Sequence, residues 1–142
     1  MNGGSLTASG NTGIYFYFST GDSGSGIPSL TVAGNAVVDA KSGGIAHNSS
    51  NNLSIQGNSG IVFNGSTGTV YGNASLQKDL IIGEGESLIL DNGASLDANG
   101  HNVIVDGGTL DESIKNNLGN SVKYTPTITT SSLSNGTVGI GY

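Results

Sequence analysis

Apolar residues in this chain recur at alternate positions, in twos and threes, with turn-forming residues between the groups. Within residues 83–107, which read GEGESLILDNGASLDANGHNVIVDG, Leu88 and Leu90, Ala94 and Leu96, then Val103 and Val105 are each two apart. Alternate side chains of a strand enter one core, so each pair predicts a short strand with one face inward. Ile14, Phe16 and Phe18 alternate with Tyr15 and Tyr17 in the same way, which places the two tyrosines on the opposite face. Helical spacing is confined to residues 111–120 (DESIKNNLGN), through Ile114 and Leu118, with Asp111 as the cap before Glu112.

The strands repeat. SLTVAGN (residues 29–35) and NLSIQGN (52–58) align at a shift of 23, pairing Leu30 with Leu53, Val32 with Ile55, Gly34 with Gly57 and Asn35 with Asn58. The same shift carries Leu53 to Leu76, Leu80 to Val103 and Ile82 to Val105. A period in the low twenties is what three short strands and three turns need to complete one coil of a solenoid. Residues 36–40 and 61–63 supply the second side of each coil, and 44–46 and 68–71 the third. Lys78 stands where Val32 and Ile55 stand in the other repeats, so the phase slips at 77–79. The expected architecture is all-β: a short right-handed parallel β-helix of about four coils, three strands per coil, over residues 14–112. Residues 1–13 form a lead-in and 113–124 a linker or end cap. Such a stack is only about 20 Å tall, so both of its ends offer strand edges for self-association.

Composition fits this picture and narrows the partners. Of 142 residues, 25 are glycine and two are proline, and 10% are charged, which suits a folded β protein with many turns better than collagen or a charge-rich disordered chain. The net charge is −6, and the four cations are all lysine (Lys41, Lys78, Lys115, Lys123). With no arginine and few lysines to neutralise phosphates, nucleic acid is not an expected partner. No run approaches the roughly 20 apolar residues of a membrane-spanning helix, so no membrane insertion is expected. Zero cysteines fit either redox compartment. Residues 1–4 have neither the basic start nor the apolar segment of a signal peptide, so a piece of a longer exported protein is expected.

Candidate chemistry is sparse. Asp91 and Asp97, with Glu84, Glu86 and Asp106, would supply carboxylates to a polysaccharide hydrolase, but all lie in turns, where Asp, Asn and Gly serve backbone conformation. Calcium suits the turn oxygens of Asp91 and Asp97 better than catalysis does, although neither an EF-hand loop nor the nonapeptide of calcium-loaded β-rolls occurs. His47 and His101 are far apart in sequence, with no second ligand at metal spacing. Gly83-Glu84-Gly85 lacks the Lys-Ser or Lys-Thr of a phosphate loop. Asn35 and Asn58 suggest an amide ladder in a solenoid corner. Sugars stack on exposed aromatic rings, which makes Tyr15, Tyr17 and Tyr71 the candidate glycan contacts. Where a site exists, the irregular stretches are its expected places: the aromatic strand at 14–18, the loop at 21–26 or the slip at 77–79.

Two resemblances add to this. Pro126, Thr127, Ile128, Thr129, Thr130, Leu133, Gly136, Thr137, Val138, Gly139 and Tyr142 resemble the opening of a bacterial immunoglobulin-like module. Such modules begin Pro-x-Ile-x-Thr-x-x-Leu and continue Gly-Thr-Val-Gly-x-x-Tyr. Residues 125–142 would be the truncated start of one, too short to fold as a sandwich. Residues 68–100 (GTVYGNASLQKDLIIGEGESLILDNGASLDANG) are similar to repeat blocks of bacterial adhesin-like cell-surface proteins, parallel β-helices strung with immunoglobulin-like modules. The chain departs from their pattern in its many asparagines and in lacking a proline after Ile82. The resemblance implies a non-catalytic structural or adhesive segment, extracellular on a bacterial surface, with a glycan or a surface protein as partner. The alternatives are a carbohydrate-binding module assisted by calcium and, more remotely, a fragment of a polysaccharide-degrading enzyme.

Overall fold

The computed structural model describes residues 3–7, 13–17, 27–48 and 52–126. Phe18, the loop at 21–26 and residues 127–142, most of the immunoglobulin-like resemblance, lie outside the described residues. The chain is an all-β, mostly parallel solenoid. Strands β1 (Ser5–Thr7), β2 (Ile14–Phe16) and β3 (Ser29–Val32) make a first coil. Strands β4 (Ala36–Ala40), β5 (Ile45–His47) and β6 (Ser54–Gly57) make a second. Each strand lies parallel to its counterpart one coil away, β1 to β4, β2 to β5 and β3 to β6. The next strand, β7 (Ser59–Asn64), stacks parallel on β4.

At that point the direction of the chain reverses. Strand β8 (Thr67–Ser75) pairs antiparallel with β7, Ile61 facing Val70 and Phe63 facing Gly68. Residues 68–71 therefore do not stack on 44–46 as the 23-residue frame expects. The cause is the two-residue connection Gly65-Ser66, in which Gly65 takes a φ of 63°, a left-handed value suited to a tight hairpin. Parallel stacking then resumes. β10 (Ser87–Leu90) lies on the first part of β8 and β11 (Ser95–Asp97) on its second part. β9 (Leu80–Ile82) lies under β12 (Val103–Val105), with Leu80 facing Val103 and Ile82 facing Val105, a shift of 23. Before the hairpin the frame is looser. Leu30 faces Ile55 rather than Leu53, a shift of 25, which moves the register by two and so keeps the same side chains inward.

The shared sheet runs β1-β4-β7-β8-β10-β13, where β13 is Thr109–Leu110, and its two faces serve different cores. Val38 and Val62 point to one side, where with Val32 they form a small cluster backed by Ile14, Leu30, Ile45, Ile55 and Tyr71. Ile61, Phe63 and Val70 point to the other side and join Leu76, Ile82, Leu88, Leu96 and Val103. The coils before the hairpin thus wrap one face of the sheet, and those after it wrap the opposite face. Strand direction and core face reverse together, so both stacks wind with the same hand, in keeping with the strong bias in crossover chirality.

Helix α1 (Glu112–Leu118) closes the second stack. The Asp111 side chain accepts a hydrogen bond from Ser113 N at 2.8 Å as its N-cap. Ile114 and Leu118, one helical turn apart, are buried in the larger core. The chain then returns through β14 (Val122–Tyr124), which pairs parallel with β12. Gly72 bends β8 from one side of the coil to the next. It has a φ of 60°, and a Cβ there would run into the backbone carbonyl of Asn58.

Candidate functional site

The polar side chains of the corners are turned largely on the chain's own backbone. Asn64 Oδ1 accepts from Ile45 N at 2.8 Å, and Asn99 Nδ2 donates to Leu76 O at 3.0 Å. Asn117 Nδ2 donates to Leu96 O at 2.6 Å. Asn35, left-handed at φ 59°, accepts from Ser75 N at 2.9 Å through its Oδ1 and so ties the first stack to the second. Its carboxamide oxygen thus serves a bond between stacks. Each such bond satisfies a backbone group that a solenoid corner would otherwise leave without a partner.

One ion pair also joins the stacks. Lys41, in the corner after β4, places its ammonium 2.7 Å from Glu86 Oε2 and 3.1 Å from the carbonyl of Ile81. The same ammonium sits 4.4 Å from the centroid of the Phe63 ring, a cation–π arrangement. Glu86 Oε2 further accepts from Gly83 N at 2.8 Å. Both side chains are about three-quarters buried, 24% and 21% exposed. Sequence reasoning missed this pair, because no periodic signal links Lys41 to Glu86 across their separation of 45 positions.

The candidate aromatic residues do not converge. Tyr15, in β2, is 52% exposed, and Tyr17, just after that strand, is 73% exposed. Tyr71 faces Gly60 across the hairpin and packs against the Val32, Val38 and Val62 cluster. Burial pushes its phenol above the ordinary value of 10.0. A hydrogen bond with Thr69 opposes that rise and the Asp91 carboxylate adds to it. Tyr71 is thus turned inward, away from the exposed pair.

The candidate calcium ligands lie in successive corners. Asp97 Oδ1 accepts from Asn99 N at 3.0 Å, and the Asp91 carbonyl accepts from Ala94 N at 3.0 Å. Among the described residues no three His, Asp or Glu side chains gather where a metal ion would be held. His101 Nδ1 is 3.7 Å from Asp79 Oδ1, which also accepts from Asn102 N at 2.8 Å. His47 Nδ1 is buried and has no hydrogen-bond partner among the described residues.

Depressions among the described residues include two that bear on a site. The first, of about 380 Å³, opens between the two stacks, where Ser5, Asn35 and Val37 face Leu76, Lys78 and Leu80. It takes in residues 77–79, one of the irregular stretches singled out from the sequence. It exists because the second stack crosses behind β1 and β4, a consequence of the hairpin. The second depression lies between Asp97 and the helix residues Asn117 and Leu118.

Fold and corners together define a β-solenoid repeat domain. No family model matches this chain, and neither does any curated protein or solved structure with which it was compared.

Proposed function

We propose that this chain is a non-catalytic scaffold segment of a bacterial cell-surface protein, extracellular and adhesive in role. The observation that carries the proposal is the use made of the corner groups. Asn35, Asn64, Asn99, Asp79 and Asp97, joined by Asn117 of helix α1, bond the chain's own backbone, and Lys41 pairs with Glu86. Groups held in this way maintain a shape and leave outward faces for contact. The similarity of residues 68–100 to adhesin-like repeat blocks, and of 126–142 to an immunoglobulin-like module, supports the surface location.

The second reading, a carbohydrate-binding module, draws on the exposed rings of Tyr15 and Tyr17. A glycan array run with and without calcium separates the two. The scaffold reading expects no glycan signal that Tyr15→Ala and Tyr17→Ala together abolish. Such a signal would replace it with the second reading, and a calcium requirement removed by Asp91→Asn or Asp97→Asn would add the metal. Release of reducing sugars from host or pectic polysaccharides would overturn the non-catalytic assignment. Self-association belongs to the same proposal, because Leu6 on the edge strand β1 is 46% exposed. A strictly monomeric mass by light scattering across concentration would remove that part.

A further inference from the structure

Three Asn-Gly pairs fall within the described residues: Asn64-Gly65, Asn92-Gly93 and Asn99-Gly100. Such a pair is chemically labile because glycine offers no side chain to shield its backbone nitrogen. That nitrogen, on losing its proton, attacks the asparagine side-chain carbonyl carbon. A new C–N bond closes a five-membered succinimide, and the carboxamide nitrogen leaves as ammonia. Water then opens the ring at either carbonyl, giving aspartate or isoaspartate. The reaction requires a free nucleophile and a free carboxamide, and in the folded protein hydrogen bonds control both.

The three pairs differ in this respect. In the hairpin, Gly65 N donates to Ala40 O at 3.1 Å and Asn64 Oδ1 accepts from Ile45 N, so nucleophile and carboxamide are both held. In the corner between β11 and β12, Asn99 Nδ2 donates to Leu76 O while Gly100 N has no hydrogen bond among the described residues, so only the carboxamide is held. In the corner between β10 and β11, neither the Asn92 side chain nor Gly93 N has a hydrogen-bond partner among the described residues, and both residues are exposed. We propose that Asn92 is a site of spontaneous deamidation, and that the three pairs react in the order Asn92, Asn99, Asn64. Each hydrogen bond of roughly 1 kcal/mol that must open first slows the reaction about fivefold.

The product matters to the fold. Deamidation places a new carboxylate directly beside Asp91, in the stretch that also carries Asp97. Isoaspartate also adds a methylene to the backbone at the corner that leads β10 into β11, strands on two adjacent sides of the coil. The better-formed stack thus carries a covalent record of its age, independent of whether the chain is an adhesive scaffold.

The test is peptide mapping by mass spectrometry, with isoaspartate resolved, after incubation of the folded full chain at mildly alkaline pH. A parallel incubation in urea removes the protection. Of the three described pairs, Asn92 should convert first in the folded chain, with Asn99 and Asn64 following in that order, and the three rates should converge in urea. Asn92→Gln should remove the fastest-forming isoaspartate of these three sites and leave the Asn99 and Asn64 peptides converting in the same order. Equal rates at the three sites in the folded chain would overturn the proposal, as would an Asn92 that stays intact while it reacts in urea.

Discussion

The two stacks use the same residue vocabulary and reach different degrees of order. After the hairpin, shifts of 20 to 23 repeat, and eleven buried side chains join Ile61 and Phe63 of β7 in one cluster that a capped helix closes. Before it, β1 faces β4 at a shift of 32 and β3 faces β6 at 25, and three buried valines anchor a core whose other members are only half-buried. A solenoid gains stability coil by coil from intrinsic and neighbour terms. The irregular stack therefore depends on the regular one for much of its order, and the dependence passes through the strand that both cores share.

That dependence can be broken at Phe63, whose ring is fully buried on the second face of β7, covers Gly68 and lies under the Lys41 ammonium. Phe63→Ala should cost about 3–5 kcal/mol, a large share of the 5–15 kcal/mol typical of a domain, and both stacks should melt together in urea. Leu88→Ala, within the regular stack, should cost about 2–5 kcal/mol and lower amide protection everywhere. Val38→Ala, in the irregular stack, removes two methyl carbons worth about 1.6 kcal/mol. It should loosen strands β1 to β6 in hydrogen exchange while β9 to β12 stay protected. Equal loss of protection in both stacks for Val38→Ala would refute the asymmetry.

The tie between the stacks is a finer test. Lys41→Met leaves the Glu86 carboxylate with Gly83 N but without its cation, an expected loss of roughly 1–2 kcal/mol. A double-mutant cycle with Glu86→Gln should show coupling between the two positions. Additive effects would mean that the pair joins nothing. The smallest effect concerns Tyr71. Its phenol titrates above 10.0 in the folded chain, so an unfolded chain loses that proton first and unfolding gains as pH rises. The stability contribution is fully present below pH 10 and is lost as pH climbs through the raised folded value. Tyr71→Phe should flatten this alkaline slope, as followed by denaturant midpoints on either side of pH 10.

Much of this was legible in the chain. The pairing of Leu80 with Val103 and of Ile82 with Val105 follows from alternation plus one constant shift, because regular coils leave a constant shift behind. Ile114 and Leu118 announced a helical turn by their spacing. The register before the hairpin was legible only in which residues point inward, since moving a strand by two residues preserves its faces while changing its partner. The reversal at Gly65-Ser66 did leave a signal, a two-residue Gly-Ser turn between two alternating strands. Under a repeat frame the same residues read as one more corner. The slip at 77–79 marked one wall of the groove between the stacks, but neither the opposite wall at Ser5, Asn35 and Val37 nor the Lys41–Glu86 pair could be read from the sequence, because both arise from the second stack crossing behind the first.

The central claim is that two parallel stacks meet at one antiparallel seam. Antiparallel strands bring facing α-protons close together, whereas parallel strands hold them apart, so cross-strand NOEs in an isotope-labelled chain decide the matter directly. Close contacts between α-protons are expected between β7 and β8, in the register that sets Ile61 opposite Val70 and Phe63 opposite Gly68, and are not expected between β4 and β7 or between β8 and β10. Contacts placing Gly68 beside Ile45 in parallel register, as one unbroken 23-residue period would, contradict the account.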